Sequence, residues 1–144
     1  KTINMPDFKD KCAVLTDKPW DQTKINPELI IIGLGTNDTS YIYESGEKDE
    51  ARRQDFIKAY VDFVDYKLNV YPNAHIFMDY GTINDYNTFP SMIEIYDIVS
   101  KKHKNVHLVR LYGDAAATNG HPSLHAHYRM SEELYQIIKE TFHW

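Results

Sequence analysis

At 144 residues the chain has the length of one domain or of part of one. Hydrophobic residues at 42% and charged residues at 26% are ordinary for a soluble globular protein, and 16 basic against 21 acidic residues give a formal net charge of −5, which argues against nucleic acid as a partner. No apolar run approaches a membrane span, and the single cysteine, Cys12, excludes an internal disulfide framework without fixing the compartment.

Residues 1–26 show no clear period and mix charges with Pro6, Pro19 and a short apolar patch from Cys12 to Leu15, so they read as loop with one short helix. Behind Pro27, the β-branched run Leu29–Leu34 reads as a buried strand. It runs into Gly35-Thr36-Asn37-Asp38, a small-residue turn placed where α/β sheets keep their chemistry, at the carboxyl end of a strand. Thr39–Lys48 is polar and turn-prone and is expected to be loop.

Asp49 to Tyr71 predicts a helix, with Phe56, Tyr60, Phe63, Val64 and Leu68 as its apolar stripe and Tyr71-Pro72-Asn73 as its end. Ala74–Asp79 reads as the second strand and Gly81–Thr88 as a loop. Pro90 to Lys102 predicts a second helix with Pro90 in its first turn and Met92, Ile95, Tyr96 and Val99 inward. Val106–Leu111 is the third strand, and Gly113–Pro122 a long loop. Ser123 can cap a last helix reaching Phe142, with Leu134, Ile137, Ile138 and Phe142 inward.

The order β-α-β-α-β-α predicts an α/β fold: a three-layer α/β/α sandwich around a parallel sheet, to which this chain supplies about three strands and three helices. Both faces of such a sheet need covering, so one or two further strands are expected outside these residues. No repeat, low-complexity segment or domain linker is visible.

Four places could carry chemistry. In Gly35-Thr36-Asn37-Asp38 the glycine lets backbone approach a ligand, and the Asn37 amide can donate to an oxyanion; the plainer alternative is a tight turn bonded to itself. A dinucleotide site at Gly33-x-Gly35 lacks the third glycine, and a polar loop is expected where its helix should begin. His121, stiffened by Pro122 and anchored by the last helix, has what a general base needs. His121, His125 and His127 could also suggest a metal, but His125 and His127 would face different ways and no Cys or carboxylate stands close enough to complete a ligand set, so no metal or other cofactor is expected. Asp79-Tyr80-Gly81-Thr82 follows the second strand and either lines a pocket, through Tyr80, or simply turns. The 11 Tyr, 6 Phe and 2 Trp could make a sugar-stacking surface or fill half-buried positions.

These residues resemble a known family. Gly35-Thr36-Asn37-Asp38 after an apolar strand is similar to the third block of the SGNH (GDSL-like) hydrolases, and Gly120-His121-Pro122-Ser123 with His127-x-x-Met130 and the closing helix is similar to their fifth. Met5-Pro6, Trp20-Asp21, Lys24-x-x-Pro27 and Tyr71-Pro72-Asn73-Ala74 look closest to carbohydrate esterase family 2, and the resemblance covers nearly all of the chain. It implies removal of acetyl groups from plant polysaccharides such as xylan and mannan without a metal, with Asn37 as side-chain oxyanion donor and His121 as the base that activates a serine. Gly35, Thr36, Asp38 and Tyr80 are then candidate substrate contacts.

The family's first block, with the nucleophilic Ser, and its second, with an oxyanion glycine, have no counterpart here. The chain is thus expected to be the C-terminal part of one SGNH domain, inactive alone, with a companion segment or second chain carrying the Ser. Thr118 stands where the family pattern puts the triad Asp; family 2 esterases tolerate that loss, with a backbone carbonyl orienting the His. No signal-peptide pattern is visible at Lys1, and the resemblance implies a secreted or cell-surface bacterial protein. Two other functions remain open: a non-catalytic carbohydrate-binding module on the same fold, and a flavodoxin-like binder of a small ligand.

Overall fold

The computed structural model describes residues 5–12, 16–81, 83 and 85–144, so Ala13–Leu15 of the apolar patch and Thr82 lie outside the described residues. Three strands, β1 (Leu29–Ile32), β2 (His75–Tyr80) and β3 (Val106–Arg110), form one sheet in the order β1-β2-β3. All pairing is parallel, with Ile32 opposite Met78 and Met78 opposite Leu108. Between and after them come α1 (Thr36–Ile42), α2 (Glu50–Val70), α3 (Asp85–Val99) and α4 (Leu124–Phe142). This is an α/β fold of the SGNH type, with helices on both faces of a parallel sheet.

Residues of β2 alternate between the two faces, as a strand buried on both sides must. Ile76, Met78 and Tyr80 join Ile32, Phe56, Tyr60, Val64, Leu68, Met92, Ile95 and Val99 in the core under α1, α2 and α3. Phe77 points the other way, into a smaller core with Val109, Leu111 and α4. Each fully buried aliphatic side chain is worth about 1.5–3 kcal/mol, so packing rather than helix propensity holds α2 and α3 in place.

Helix α2 starts as its sequence suggests: the Asp49 side chain accepts from the Arg52 N–H. Other expectations need correction. The polar stretch expected to be loop from Thr39 contains most of α1, and among the described residues the α-helices number four rather than three. Thr39 is buried, its hydroxyl 3.0 Å from the Tyr80 hydroxyl and 2.6 Å from that of Thr88, and Ile42 is buried below it. These tertiary contacts hold a helix that the residues' own propensities do not favour. A helix therefore does follow Gly35 at once, although the third glycine of a dinucleotide site is still missing. Helix α3 begins at Asp85, so Pro90 lies inside it and removes one internal backbone donor instead of sitting in the first turn. On α4 the inward residues are Ala126, Met130, Leu134, Ile138 and Phe142, spaced by four, while Ile137 is exposed because it lies off that line.

The segment before β1 has two single-turn 3-10 pieces, Met5–Phe8 and Gln22–Lys24, and one bridge between Lys11 and Pro19. Buried Gln22 ties it to α2. Its amide donates to the Lys9 carbonyl (3.1 Å) and to Asp10 (2.9 Å), and its carbonyl oxygens accept from Lys67 Nζ (3.0 Å) and the Tyr71 hydroxyl (2.9 Å).

Among the described residues both outer strands of the sheet, β1 and β3, pair on one side only. β1 pairs with β2 only, and Ile31 on the α4 side of β1 is 49% exposed although its neighbour Ile32 is buried. Helix α4 packs on Phe77, Val109 and Leu111, with Leu29 at the start of β1 partly buried in the same cluster.

Gly35 closes the crossing from β1 to α1 with φ 111°, and a Cβ there would lie 3.0 Å from Phe56 Cζ. Gly35→Ala is expected to cost about 1–2 kcal/mol through the left-handed backbone alone, lowering the thermal midpoint by several degrees; an unchanged midpoint in a melting experiment would show that the turn is not confined.

Candidate active site

Parallel strands bring their carboxyl ends to one edge, so the turn after β1, the end of β2 and the long loop after β3 share it. On the β1 side, Gly33, Gly35, Thr36, Asn37 and Asp38 line a cleft of about 700 Å³ together with Tyr41 and the aromatic face of α2, Phe56, Tyr60 and Phe63. Asn37 is exposed in it, in the first turn of α1. Asp38 is half-buried, and burial pushes its carboxyl above the usual carboxylate range. Tyr80, expected as a possible substrate contact, instead sits 2% exposed beneath Gly35 with its hydroxyl paired to Thr39, outside the cleft lining.

The loop after β3 is fixed from several sides. Asp114 accepts from the backbone N–H of Ser123 (2.8 Å) and of Ala116 (3.1 Å) and from the Ser123 hydroxyl. Ser123 Oγ in turn accepts from the Ala126 N–H (3.1 Å), capping α4. These bonds hold the Asp114 carboxyl down at about 2. Between the two ends, Thr118–Gly120 makes a 3-10 turn with Asn119 at φ 57°, and buried Pro122 seats the exit.

His121 is exposed, and its Nδ1 lies 2.9 Å from the Thr118 carbonyl oxygen. A carbonyl can only accept, so Nδ1–H is the donor and a neutral imidazole keeps its lone pair on Nε2. That is the tautomer of a general base. The Thr118 carbonyl thus meets the imidazole at Nδ1, the nitrogen that an acid's side chain holds in a Ser-His-Asp triad. Asp114, the nearest carboxylate in sequence, is bound to the loop and to Ser123 instead.

Asn37 and His121 thus stand on the same edge, on opposite sides of β2, and the cleft around Asn37 is lined without His121. His125 and His127 are exposed on the first turn of α4, and among the described residues no three His, Cys, Asp or Glu side chains are grouped to hold a metal.

Sequence reasoning placed Asp79 only within a stretch that lines a pocket or turns. Its side chain lies on the α4 side of the sheet beside Gly33, where a Cβ on Gly33 would be 2.9 Å from Asp79 Oδ1. Among the described residues that oxygen is the one buried side-chain N or O atom without a hydrogen-bond partner, and burial raises its carboxyl above the usual range. A charged residue directly after the apolar run Ile76-Phe77-Met78 was the available signal.

No family model matches the chain. Curated relatives are a cellulase/esterase, CelE, of Acetivibrio thermocellus, 27% identical over 87% of this chain, and an acetylxylan esterase / glucomannan deacetylase of Cellvibrio japonicus, 25% identical over 98% of it. The chain spans only 16% of the first and 39% of the second. Among solved structures, a family two carbohydrate esterase from Cellvibrio japonicus superposes with a TM-score of 0.76 at 25% identity, over 95% of this chain and 40% of that one. One from Clostridium thermocellum, in complex with cellohexaose, gives 0.74 at 26% identity, over 90% of this chain and 40% of that one. The neighbours in sequence and in fold are carbohydrate esterases, and the resemblance to family 2 holds across most of the chain.

Because the folded Asp114 carboxyl titrates below its ordinary 3.8, its contribution to loop order is fully present above that value and is lost as pH falls through about 2. At neutral pH, Asp114→Ala should speed hydrogen exchange at the Ala116 and Ser123 amides while leaving β2 protected; unchanged exchange at both would mean that Asp114 does not hold the loop.

Proposed function

We propose that this chain supplies the general base and one oxyanion donor of a serine acetylesterase that deacetylates plant cell-wall polysaccharides such as xylan or mannan. The carrying observation is the Thr118 carbonyl on His121 Nδ1, which leaves Nε2 free to take a proton on the edge where Asn37 stands exposed. In the reaction, a serine hydroxyl adds to the acetyl carbonyl carbon and gives its proton to His121 Nε2. The Asn37 amide donates to the oxyanion that forms. Collapse of the tetrahedral intermediate breaks the ester bond, and the sugar oxygen leaves with the proton from His121. Water then hydrolyses the acetyl-serine by the same steps, releasing acetate and restoring the serine.

The serine is assigned to a segment outside these residues, pairing with the free edge of β1. Supporting this are the exposed Ile31 on that strand, and esterase relatives much longer than the chain. None of Ser40, Ser45, Ser91, Ser100, Ser123 and Ser131 stands in a Gly-Asp-Ser turn. Ser91 is buried and Ser123 is committed to capping α4. The chain alone should not turn over ester, since it holds no activated nucleophile. The polysaccharide substrate places the enzyme outside the cell or on its surface, and among the described residues no helix is long and apolar enough to cross a membrane.

A non-catalytic carbohydrate-binding role is the second reading, favoured by one feature. Tyr41, 52% exposed at the cleft with the Arg52 guanidinium over its ring, offers a face for a sugar.

In the full-length protein Asn37→Ala should lower kcat for acetylated xylan by about a hundredfold or more, the usual cost of one oxyanion donor. His121→Ala should cost more still. Unchanged acetate release by either variant would remove that residue from the mechanism, and binding of the polysaccharide without any acetate release by the unmutated protein would favour the second reading.

A further inference from the structure

The catalytic steps make no use of Asp79, yet its setting is unusual. It is the last residue but one of β2, near the edge where Asn37 and His121 stand. Its Oδ1 is buried and unpartnered among the described residues, and a buried carboxylate oxygen left so costs stability. The carboxylate does not stay over its own strand. It leans across to the backbone beyond β1, close enough to Gly33 that a side chain there would meet it at 2.9 Å. Gly33 follows Ile32, which pairs with Met78, so Gly33 is the next residue opposite Asp79 and lies one strand nearer the unpaired edge of β1. Exposed Ile31 lies on the same face, one pleat below Gly33. A glycine beside a carboxylate that reaches sideways leaves a passage from Asp79 to the free edge of β1.

Resting on the serine esterase reading, we propose that Asp79 is a positioning residue for the nucleophile: its carboxylate accepts hydrogen bonds, across Gly33, from the turn that carries the serine. The occupant of the edge is an extended segment parallel to β1. Only a parallel strand ends at the edge where Asn37 and His121 act, and it would cover Ile31 on the way. The turn after its last residue then lies level with Gly33. There its backbone N–H groups stand level with the carboxylate that leans over Gly33. Asp79 would fix the turn's height and orientation and would not touch the substrate.

Stability of the isolated chain and reactivity of the full-length protein test this from two sides. In the isolated chain Asp79→Asn should raise the thermal midpoint, because an uncompensated buried charge is removed. In the full-length protein, Asp79→Ala should slow labelling of the serine by a fluorophosphonate by about tenfold or more, the size of effect that follows from a displaced reacting group. It should lower kcat with little change in KM. Asp79→Asn, whose amide oxygen still accepts, should recover most of the labelling rate. A full-length Asp79→Ala protein that labels as fast as the unmutated one overturns the role of Asp79 and leaves the esterase reading standing. A lower midpoint for Asp79→Asn in the isolated chain also overturns it, since the carboxylate would then already be compensated. If the unmutated full-length protein takes no label, the serine esterase reading fails and this role fails with it.

Discussion

Parallel pairing of three strands is the constraint on which the rest of this structure depends. Parallel strands need crossovers, and the crossovers here are α1 with α2, and then α3, packed on one face of the sheet. The same pairing sends the carboxyl ends of β1, β2 and β3 to one edge. Three chemically different groups thereby meet a single border: the Asn37 turn, the buried Asp79 carboxylate, and the loop that bears His121. A one-residue slip of β2 would exchange Phe77 and Asp79 for Ile76, Met78 and Tyr80 and bury the carboxylate among α2 and α3, so the two cores also fix which face Asp79 occupies.

The His121 loop holds its imidazole through a backbone carbonyl. A histidine acting as base must be held in one tautomer and one orientation, and a backbone carbonyl can do both if the backbone is itself held. Here the carbonyl of Thr118 also accepts the His121 N–H (3.3 Å), and the Ala117 N–H donates to the His121 carbonyl (2.9 Å). Asp114 clamps the two ends of the loop through Ala116 and Ser123. The Asp114 carboxylate holds the scaffold around the imidazole and not the imidazole itself. Without such clamping, a carbonyl on an exposed loop would hold the ring only as well as the loop holds still.

Most of the fold was legible in the sequence because its long elements carry strong periods. The stripe Phe56, Tyr60, Val64 and Leu68 and the runs ending in Asp79 and Arg110 are signals that packing reinforces. What escaped was held together by contacts distant in sequence. Helix α1 reads as polar loop, and only the Thr39 hydroxyl on Tyr80 and Thr88, with Ile42 buried, makes it a helix. The early start of α3 hides behind Pro90. The turns that bear Asn37 and His121 were legible as turns, and parallel pairing brings both to one edge of the sheet. The group on His121 was not, because a backbone carbonyl has no letter in the sequence. Asp79 was named only as part of a turn, since its reach over Gly33 exists only once β1 and β2 are in register.

The most direct measurement is the tautomer of His121 in this chain, read from two-bond proton–nitrogen correlations of the neutral imidazole ring. A pyrrole-like Nδ1 and a pyridine-like Nε2 are expected, the proton lying on the nitrogen that faces the Thr118 carbonyl. The opposite assignment, with the proton on Nε2, would contradict the carbonyl as the orienting group and leave His121 without the lone pair that a base requires at the open edge.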